Sequence, residues 1–477
     1  MFETSFLLFS EHLLLNIFIP FIPWLLFLWI FYGTKIKWIL LYLLSRFVWV
    51  WVVAFSLLNI QFIHFWVWIL EYFIILWILL ITFVIKIFVK KQSIKDYIDT
   101  LKLKNIFPEL KISFKSLSLA EKVFTIILSV FSVYFICISG IFNFNLPTYA
   151  DDSFGNWDKP AHNIYTDWWI KLFWDESEIL WRWRLWYPIH MPTYKALISN
   201  FTWWVNDIYF NTWQRLVFVF WLLFIFSITF DKTKNIFKSI LPIWLICCLP
   251  LVFFHSFEWY MELPCTIYSI ITIWIIYKFL ERKDYSYLSI SILLCCILSH
   301  IKNDGLLGYA AWIVISLIIT LIINKELLSV IKTFVRDKKE LYKSIFYIIY
   351  FLIPFLIIRF INNLSLNPVA WTDTTSFVHR EIFNQYSHIF FMMDNYNIIL
   401  VIIFILLSLL FLQRKIHKNN NMFLILPWLL IFLIFTAVFL FTENYLFILD
   451  QTTVNRVYTM AFAITIAFSW IILQKHE

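Results

Sequence analysis

Phe423-Leu-Ile-Leu-Pro-Trp-Leu-Leu-Ile-Phe-Leu-Ile-Phe-Thr-Ala-Val-Phe-Leu-Phe441 runs for 19 residues without a charge. A helix of about 20 predominantly apolar residues crosses the hydrocarbon of a bilayer, so this stretch reads as a membrane span. Twelve more candidates follow the same pattern. They are Leu13 to Tyr32, Trp38 to Leu58, Phe62 to Ile85, Val123 to Phe142, Trp213 to Phe230, Ile240 to Phe257, Leu263 to Phe279, Tyr287 to Ile301, Leu306 to Ile323, Ile345 to Ile361, Ile398 to Leu412 and Val457 to Leu473. The expectation is an all-α polytopic membrane protein of about thirteen transmembrane helices.

Composition points the same way. Of the 477 residues 62% are hydrophobic and only 14% charged, well away from the balance of a soluble domain. The five glycines, Gly33, Gly140, Gly155, Gly305 and Gly308, are too few and too scattered for a dinucleotide fingerprint or a P-loop. Both motifs need clustered glycines to bring backbone N–H groups against phosphate, so ATP-driven pumps are excluded. The six cysteines fall in or beside apolar segments without metal-ligand spacing, and neither a disulfide framework nor a metal site is expected from them.

The net charge of +8 reports topology. Cytoplasmic loops hold the excess of lysine and arginine. With the segment Lys86 to Lys122 inside, ten of the 38 basic residues fall outside: Lys159, Lys171, Arg182, Arg184, Lys195, Arg215, Lys302, Arg359, Arg380 and Arg456. The chain is therefore expected to start outside and end in the cytoplasm, and no nucleic-acid partner is implied. Residues 1-121 read as a three-helix membrane region with a basic cytoplasmic segment, and 122-477 as the functional membrane domain. The first span has no basic residue before Lys35 and does not read as a cleavable signal peptide.

The largest outer segment, residues 143-212, carries Asp151, Asp152, Trp157 and Asp158 close to the expected membrane surface. A partly desolvated carboxylate there can act as a general base, although loop acids are commonly just solvated. Ten of the 26 tryptophans lie in this loop or at its end. A membrane-interface belt accounts for most of them, and Trp157, among the acids, is the one candidate substrate contact. The stretch Tyr187 to Val205 contains Pro188, His190, Pro192 and Lys195 and reads as a helix lying at or dipping into the outer interface.

Further outer clusters follow. His255-Ser-Phe-Glu-Trp-Tyr-Met-Glu-Leu-Pro264 places Glu258 and Glu262 at a tight turn. His300-Ile-Lys-Asn-Asp-Gly-Leu-Leu-Gly308 carries Lys302 and Asp304 with two of the five glycines, which implies φ > 0 or a close helix approach there. Asn455-Arg456 ends the last loop before a span; its cation can snorkel to headgroups or hold a substrate phosphate, as Lys302 and Arg359 can. The segment Asn362 to Asn397, with His379, Arg380, Glu381 and His388, could cover such a site. Gln61, His64 and Glu71 in the third span are the feature that favours transport.

In their order and topology these clusters resemble the GT-C superfamily of integral-membrane glycosyltransferases, in particular the bacterial protein mannosyltransferase-like and lipopolysaccharide-core transferase-like enzymes. Asp152 followed by Trp157 and Ala161 resembles that group's first outer loop, and Tyr187-Pro-Ile-His-Met-Pro its Tyr-Pro-Pro helix entry. Trp259-Tyr-Met-Glu-Leu-Pro264 resembles Gly-Tyr-Ala-Asp-Leu-Pro, Ile301-Lys-Asn-Asp-Gly305 resembles Thr-Lys-Asn-Glu-Gly, and Asn455-Arg456-Val-Tyr the arginine near the outer end of a late helix. The three spans ahead of the acidic loop, the Asp151-Asp152 pair in place of Asp-Glu, and Trp259 in place of glycine depart from the pattern.

The resemblance implies transfer of a sugar from a polyprenyl-phosphate-linked donor to a glycan, lipid or protein acceptor on the outer face of a bacterial inner membrane, with inversion and without a cofactor. It implies Asp152 or Asp151 as the base, with Trp157, Asp158, His190, Glu258, Glu262, Lys302, Asp304, Arg359, Arg380 and Arg456 contacting substrate. Two other activities fit the same envelope: a polysaccharide polymerase or ligase acting on diphosphate-linked glycans through Arg380 and His379, and a transporter or flippase using His64 and Glu71.

Overall fold

A computed structural model of the chain describes residues 2–33, 69–99, 106–145, 157–167, 188, 190–202, 212–258, 260–302, 304–361, 419–441, 458 and 468–473. Every regular element among the described residues is helical. Eight of these helices are long and apolar enough to cross a membrane, or nine if one bent pair counts as a span. The chain is thus an all-α membrane protein. The expected spans Trp38 to Leu58 and Ile398 to Leu412, and most of Val457 to Leu473, lie outside the described residues, as do Gln61 and His64 of the third span.

Three of the expected spans take a different form. Ile240 to Phe257 is two helices, α9 (Ile236–Cys247) and α10 (Pro250–Phe257), bent by 82° at the break. Pro250 supplies no N–H to continue the first helix but suits the first turn of the second. Tyr287 to Ile301 becomes α12 (Tyr285–Ile301), apolar but only 17 residues long. The apolar window placed at Ile345 to Ile361 begins earlier and runs from Lys338 to Ile357.

The chain divides into two compact units. The first comprises residues 1–230, 234–240 and 254–260, and the boundary expected at 121/122 falls inside it. Here α1 (Phe2–Tyr32) packs on α2 (Ile69–Lys90), with Trp29 stacked on Phe83 at 5.3 Å and Tyr72 Oη donating to the Ile19 carbonyl at 2.9 Å. The last turn of a helix leaves carbonyls without intrahelical partners. In α1 the Gly33 N–H donates to Trp29 O from a left-handed conformation, φ +64°, and Lys86 Nζ donates to Trp29 O and Ile30 O. Short helices α3 (Ile94–Asp99) and α4 (Ile106–Ser116) lead to α5 (Leu119–Asn145). Ser118-Leu-Ala-Glu121 starts α5 as a capping box: Ser118 N–H donates to Glu121 Oε2 at 2.9 Å and Glu121 N–H to Ser118 Oγ at 3.3 Å.

In the same unit α6 (Lys159–Asp167) packs against α7 (His190–Thr202), and Ala161 and Ala196 are both fully buried. Residues 191–200 of α7 are all buried. The helix expected at the outer interface is thus enclosed by protein, and its polar groups have buried partners: Lys195 pairs with Asp158, and Tyr194 Oη donates to Asn16 Oδ1 at 2.9 Å. The N-terminal part of α8 (Thr212–Thr233) completes the unit.

The second unit comprises residues 231–233, 241–253 and 261–477. Its centre is α11 (Glu262–Arg282), buried without a gap from Glu262 to Leu280. The reversal into α12 uses Lys283 in the left-handed region, φ 54°, and Asp284, whose side chain accepts from Ser286 N–H at 2.9 Å. A π-helical segment, Gly305–Ala310, then enters α13 (Ala311–Ile323), followed by α14 (Leu327–Arg336) and α15 (Lys338–Tyr347). A second π-helical segment, Ile348–Leu352, joins α15 to α16 (Ile353–Ile361), and α17 (Met422–Phe441) packs on α13.

A buried ion pair within α15 is tied to α12 by a hydrogen bond. Lys343 Nζ lies 2.7 Å from Glu340 Oε1, and Ser289 Oγ donates to Glu340 Oε2 at 2.7 Å. Removing the cation strands a carboxylate in a medium that solvates it poorly, a loss of about 3–5 kcal/mol. Lys343→Met should therefore lower the thermal midpoint of the detergent-solubilised protein markedly. Glu340→Gln combined with Lys343→Met should recover most of it, because a neutral amide still accepts from Ser289.

Candidate functional site

The start of α11 and the end of α12 are 40 residues apart in sequence and meet in the second unit. Glu262 is the first residue of α11, where the positive end of the helix dipole favours a carboxylate. Lys302, just past the end of α12, places Nζ 3.0 Å from Glu262 Oε1 and 3.4 Å from Asp304 Oδ2. Buried Cys265 and Tyr309 lie within electrostatic reach of all three charges. Two motifs that read as separate turns thus form one cluster.

The cluster depends on close backbone approach at Gly305. A Cβ on that residue would overlap the Leu298 carbonyl oxygen of α12. Gly305 has no positive φ; of the two needs a glycine could serve here, contact is the one that applies. Gly308 faces α17, where a Cβ would lie 3.1 Å from Phe435 Cζ.

A residue without a role in the sequence argument fixes the same end of α12. The ring of His300 is buried, and its Nε2 lies 2.7 Å from the Phe351 carbonyl oxygen. A carbonyl only accepts, so Nε2 carries the proton. Phe351 belongs to the second π-helical segment, and wide π turns leave carbonyls out of the i−4 ladder. The His300 ring also meets Phe355 edge-on at 5.2 Å, and the Arg359 guanidinium lies 5.5 Å from the centre of that same ring. Glu262, Lys302 and Asp304 therefore gather at one end of α12, and Phe355 lies between His300 and Arg359. A buried histidine two residues before a Lys-Asn-Asp-Gly turn was the available sequence signal for His300.

Charge decides what the cluster can do. One ammonium faces two carboxylates, so these three groups carry a net negative charge. Such an arrangement positions carboxylates and binds neutral hydroxyl-bearing groups; as it stands it does not attract a phosphate. Among the described residues no three His, Cys, Asp or Glu side chains gather as a metal site requires.

The remaining candidates separate. Trp157 and Asp158 lie in the first unit, both buried, with Asp158 committed to Lys195. His190 opens α7, and its side-chain surroundings lie outside the described residues. Glu258, also in the first unit, follows α10 and is buried; its backbone carbonyl and that of His255 accept from Gln214 Nε2 at 2.5 Å each. Gln214 thus closes the C-terminal end of α10, a role that a lone glutamine inside an apolar run did not disclose. Asp151, Asp152, Arg380 and Arg456 lie outside the described residues.

The two glycines should respond differently to a methyl group. Gly305→Ala meets backbone that cannot swing aside and should sharply reduce the yield and thermal midpoint of folded protein. Gly308→Ala meets the tip of a phenylalanine ring and should be tolerated far better; equal behaviour would remove the close-approach argument. Compared with known proteins, the chain matches no family model, no curated protein and no solved structure.

Proposed function

We propose that the chain is a membrane glycosyltransferase that moves a sugar from a polyprenyl-phosphate-linked donor to an acceptor hydroxyl on the outer face of the membrane. The observation that supports this reading is the Glu262–Lys302–Asp304 cluster. It joins the two segments that resemble the Gly-Tyr-Ala-Asp-Leu-Pro and Thr-Lys-Asn-Glu-Gly motifs of GT-C enzymes, and it does so at the predicted outer end of the spans.

In this reading the acceptor oxygen attacks the anomeric carbon as the bond from that carbon to the phosphate oxygen breaks. The hydroxyl proton passes to Asp152 or its neighbour Asp151, the electron pair of the broken bond leaves on the lipid phosphate, and the anomeric configuration inverts. Because Lys302 is already matched by two carboxylates, stabilisation of the leaving phosphate falls to Arg359 and Arg456. The Glu262–Lys302–Asp304 cluster then orients the sugar or acceptor through its hydroxyl groups.

Membranes supplied with a polyprenyl-phosphate sugar test the assignment. Asp152→Asn or Asp151→Asn should cut transfer by roughly 10²–10⁴-fold, the usual contribution of a general base. Full activity in both variants excludes the mechanism. Mass spectrometry of copurifying lipid adds a second criterion: a monophosphate sugar lipid agrees with it, and a diphosphate-linked glycan favours a polymerase.

A further inference from the structure

The helix α14 is too short and too polar to cross a membrane, yet it is tethered to membrane spans at both ends. The span Gly305–Ile323 stops three residues before it, and the span Lys338–Ile357 starts after the single residue Asp337. Ten helical residues reach about 15 Å, half the hydrocarbon thickness. With so little connecting chain, α14 stays at the surface where these two spans emerge.

Its faces are chemically distinct. One side docks on α12: Val330 is buried, its carbonyl accepts from Tyr285 Oη at 3.4 Å, and the Phe334 ring stacks on Tyr285 at 5.8 Å. On a second side Leu328, Ile331 and Val335, spaced three and four residues apart, are 70%, 49% and 54% exposed. This apolar strip follows on in sequence from Ile322 and Ile323, exposed at the end of α13. Ser329 and Thr333 mark a third, polar side, each returning its hydroxyl to a helix carbonyl.

Around the strip, Lys325, Lys332, Arg336, Lys338 and Lys339 are all exposed. The two acids in that stretch are occupied: Glu326 by Lys283 at 2.5 Å, and Asp337 as the N-cap of α15. An exposed apolar strip beside an excess of exposed basic residues complements an anionic bilayer surface.

We infer that α14 is an interfacial anchor, seating Leu328, Ile331 and Val335 at the boundary between headgroups and acyl chains while Lys332 and Arg336 contact lipid phosphates. The inference is independent of the transferase reading, since it concerns neither Asp151, Asp152 nor the Lys302 cluster.

The full chain in nanodiscs, open to probes on both faces, tests it. In a Cys137→Ala, Cys248→Ala, Cys295→Ala background, an environment-sensitive dye is attached through Ile331→Cys or, separately, Thr333→Cys. In phosphatidylglycerol-containing discs the dye at 331 should show blue-shifted emission and be quenched by tail-labelled lipid, while the dye at 333 should report water. Equal, water-like signals at both positions overturn the anchor. An identical 331 signal in pure phosphatidylcholine discs overturns the anionic requirement. As a check needing no substitution, trypsin cleavage after Lys332 and Arg336 should be slowed by phosphatidylglycerol relative to phosphatidylcholine, and equal cleavage in both discs counts against the proposal.

Discussion

Backbone inside hydrocarbon has no water to bond to, and most of this chain follows from that constraint. It makes every described regular element a helix, and it governs how polar side chains behave within the helices. Thr125, Ser132, Thr229, Ser269, Thr272, Ser316, Thr320 and Thr436 each return a hydroxyl to the carbonyl four residues earlier. These hydroxyls each find an acceptor within their own helix, and Thr436 also meets Tyr458 Oη at 2.8 Å. Other polar groups tie helices together through bonds that cross between elements, among them Glu340 with Ser289, His300 with the Phe351 carbonyl, and Tyr194 with Asn16.

The same constraint explains what could be read from sequence. Span positions depend on the apolar content of about 20 residues, a local property, and so α1, α5, α8, α11 and α17 were legible with small shifts at their ends. Where a local break intervened, legibility failed. The Ile240 to Phe257 stretch is apolar throughout, but hydropathy is blind to the missing N–H of Pro250 that separates α9 from α10. The window at Ile345 starts late because Lys338, Lys339 and Lys343 lower the local hydropathy, whereas Asp337 caps a helix that begins at once and Glu340 neutralises Lys343. The partner of Lys195 was equally hidden: Asp158, 37 residues earlier, pairs with it in the protein interior.

The candidate site was legible in its parts but not in its assembly. Glu262, Lys302 and Asp304 stood out because charges at the ends of apolar spans are conspicuous, and Gly305 because glycine is scarce in this chain. Their meeting depends on how α11 packs on α12 and on the absence of a Cβ at residue 305, which no local pattern encodes. Nor could the charge balance be anticipated. Taken alone, Lys302 is a cation suited to phosphate; between two carboxylates it becomes the bridge that holds both in place.

The two π-helical segments carry a consequence for the lipid-facing surface. A π turn accommodates one residue more than the α turn it replaces, and each residue of an α-helix accounts for about 100° of rotation. The side of α13 that buries Ile313, Ser316, Leu317, Thr320 and Leu321 is therefore set by a single surplus residue within Gly305–Ala310. Rewinding that turn to regular α geometry with every residue kept would rotate the rest of the span by about a quarter of a turn. Ser316 and Thr320 would swing away from their packed side, and exposed Val314 and Ile318 would turn with them. The orientation of a whole span towards lipid thus rests on the winding of one turn, next to the Glu262–Lys302–Asp304 cluster.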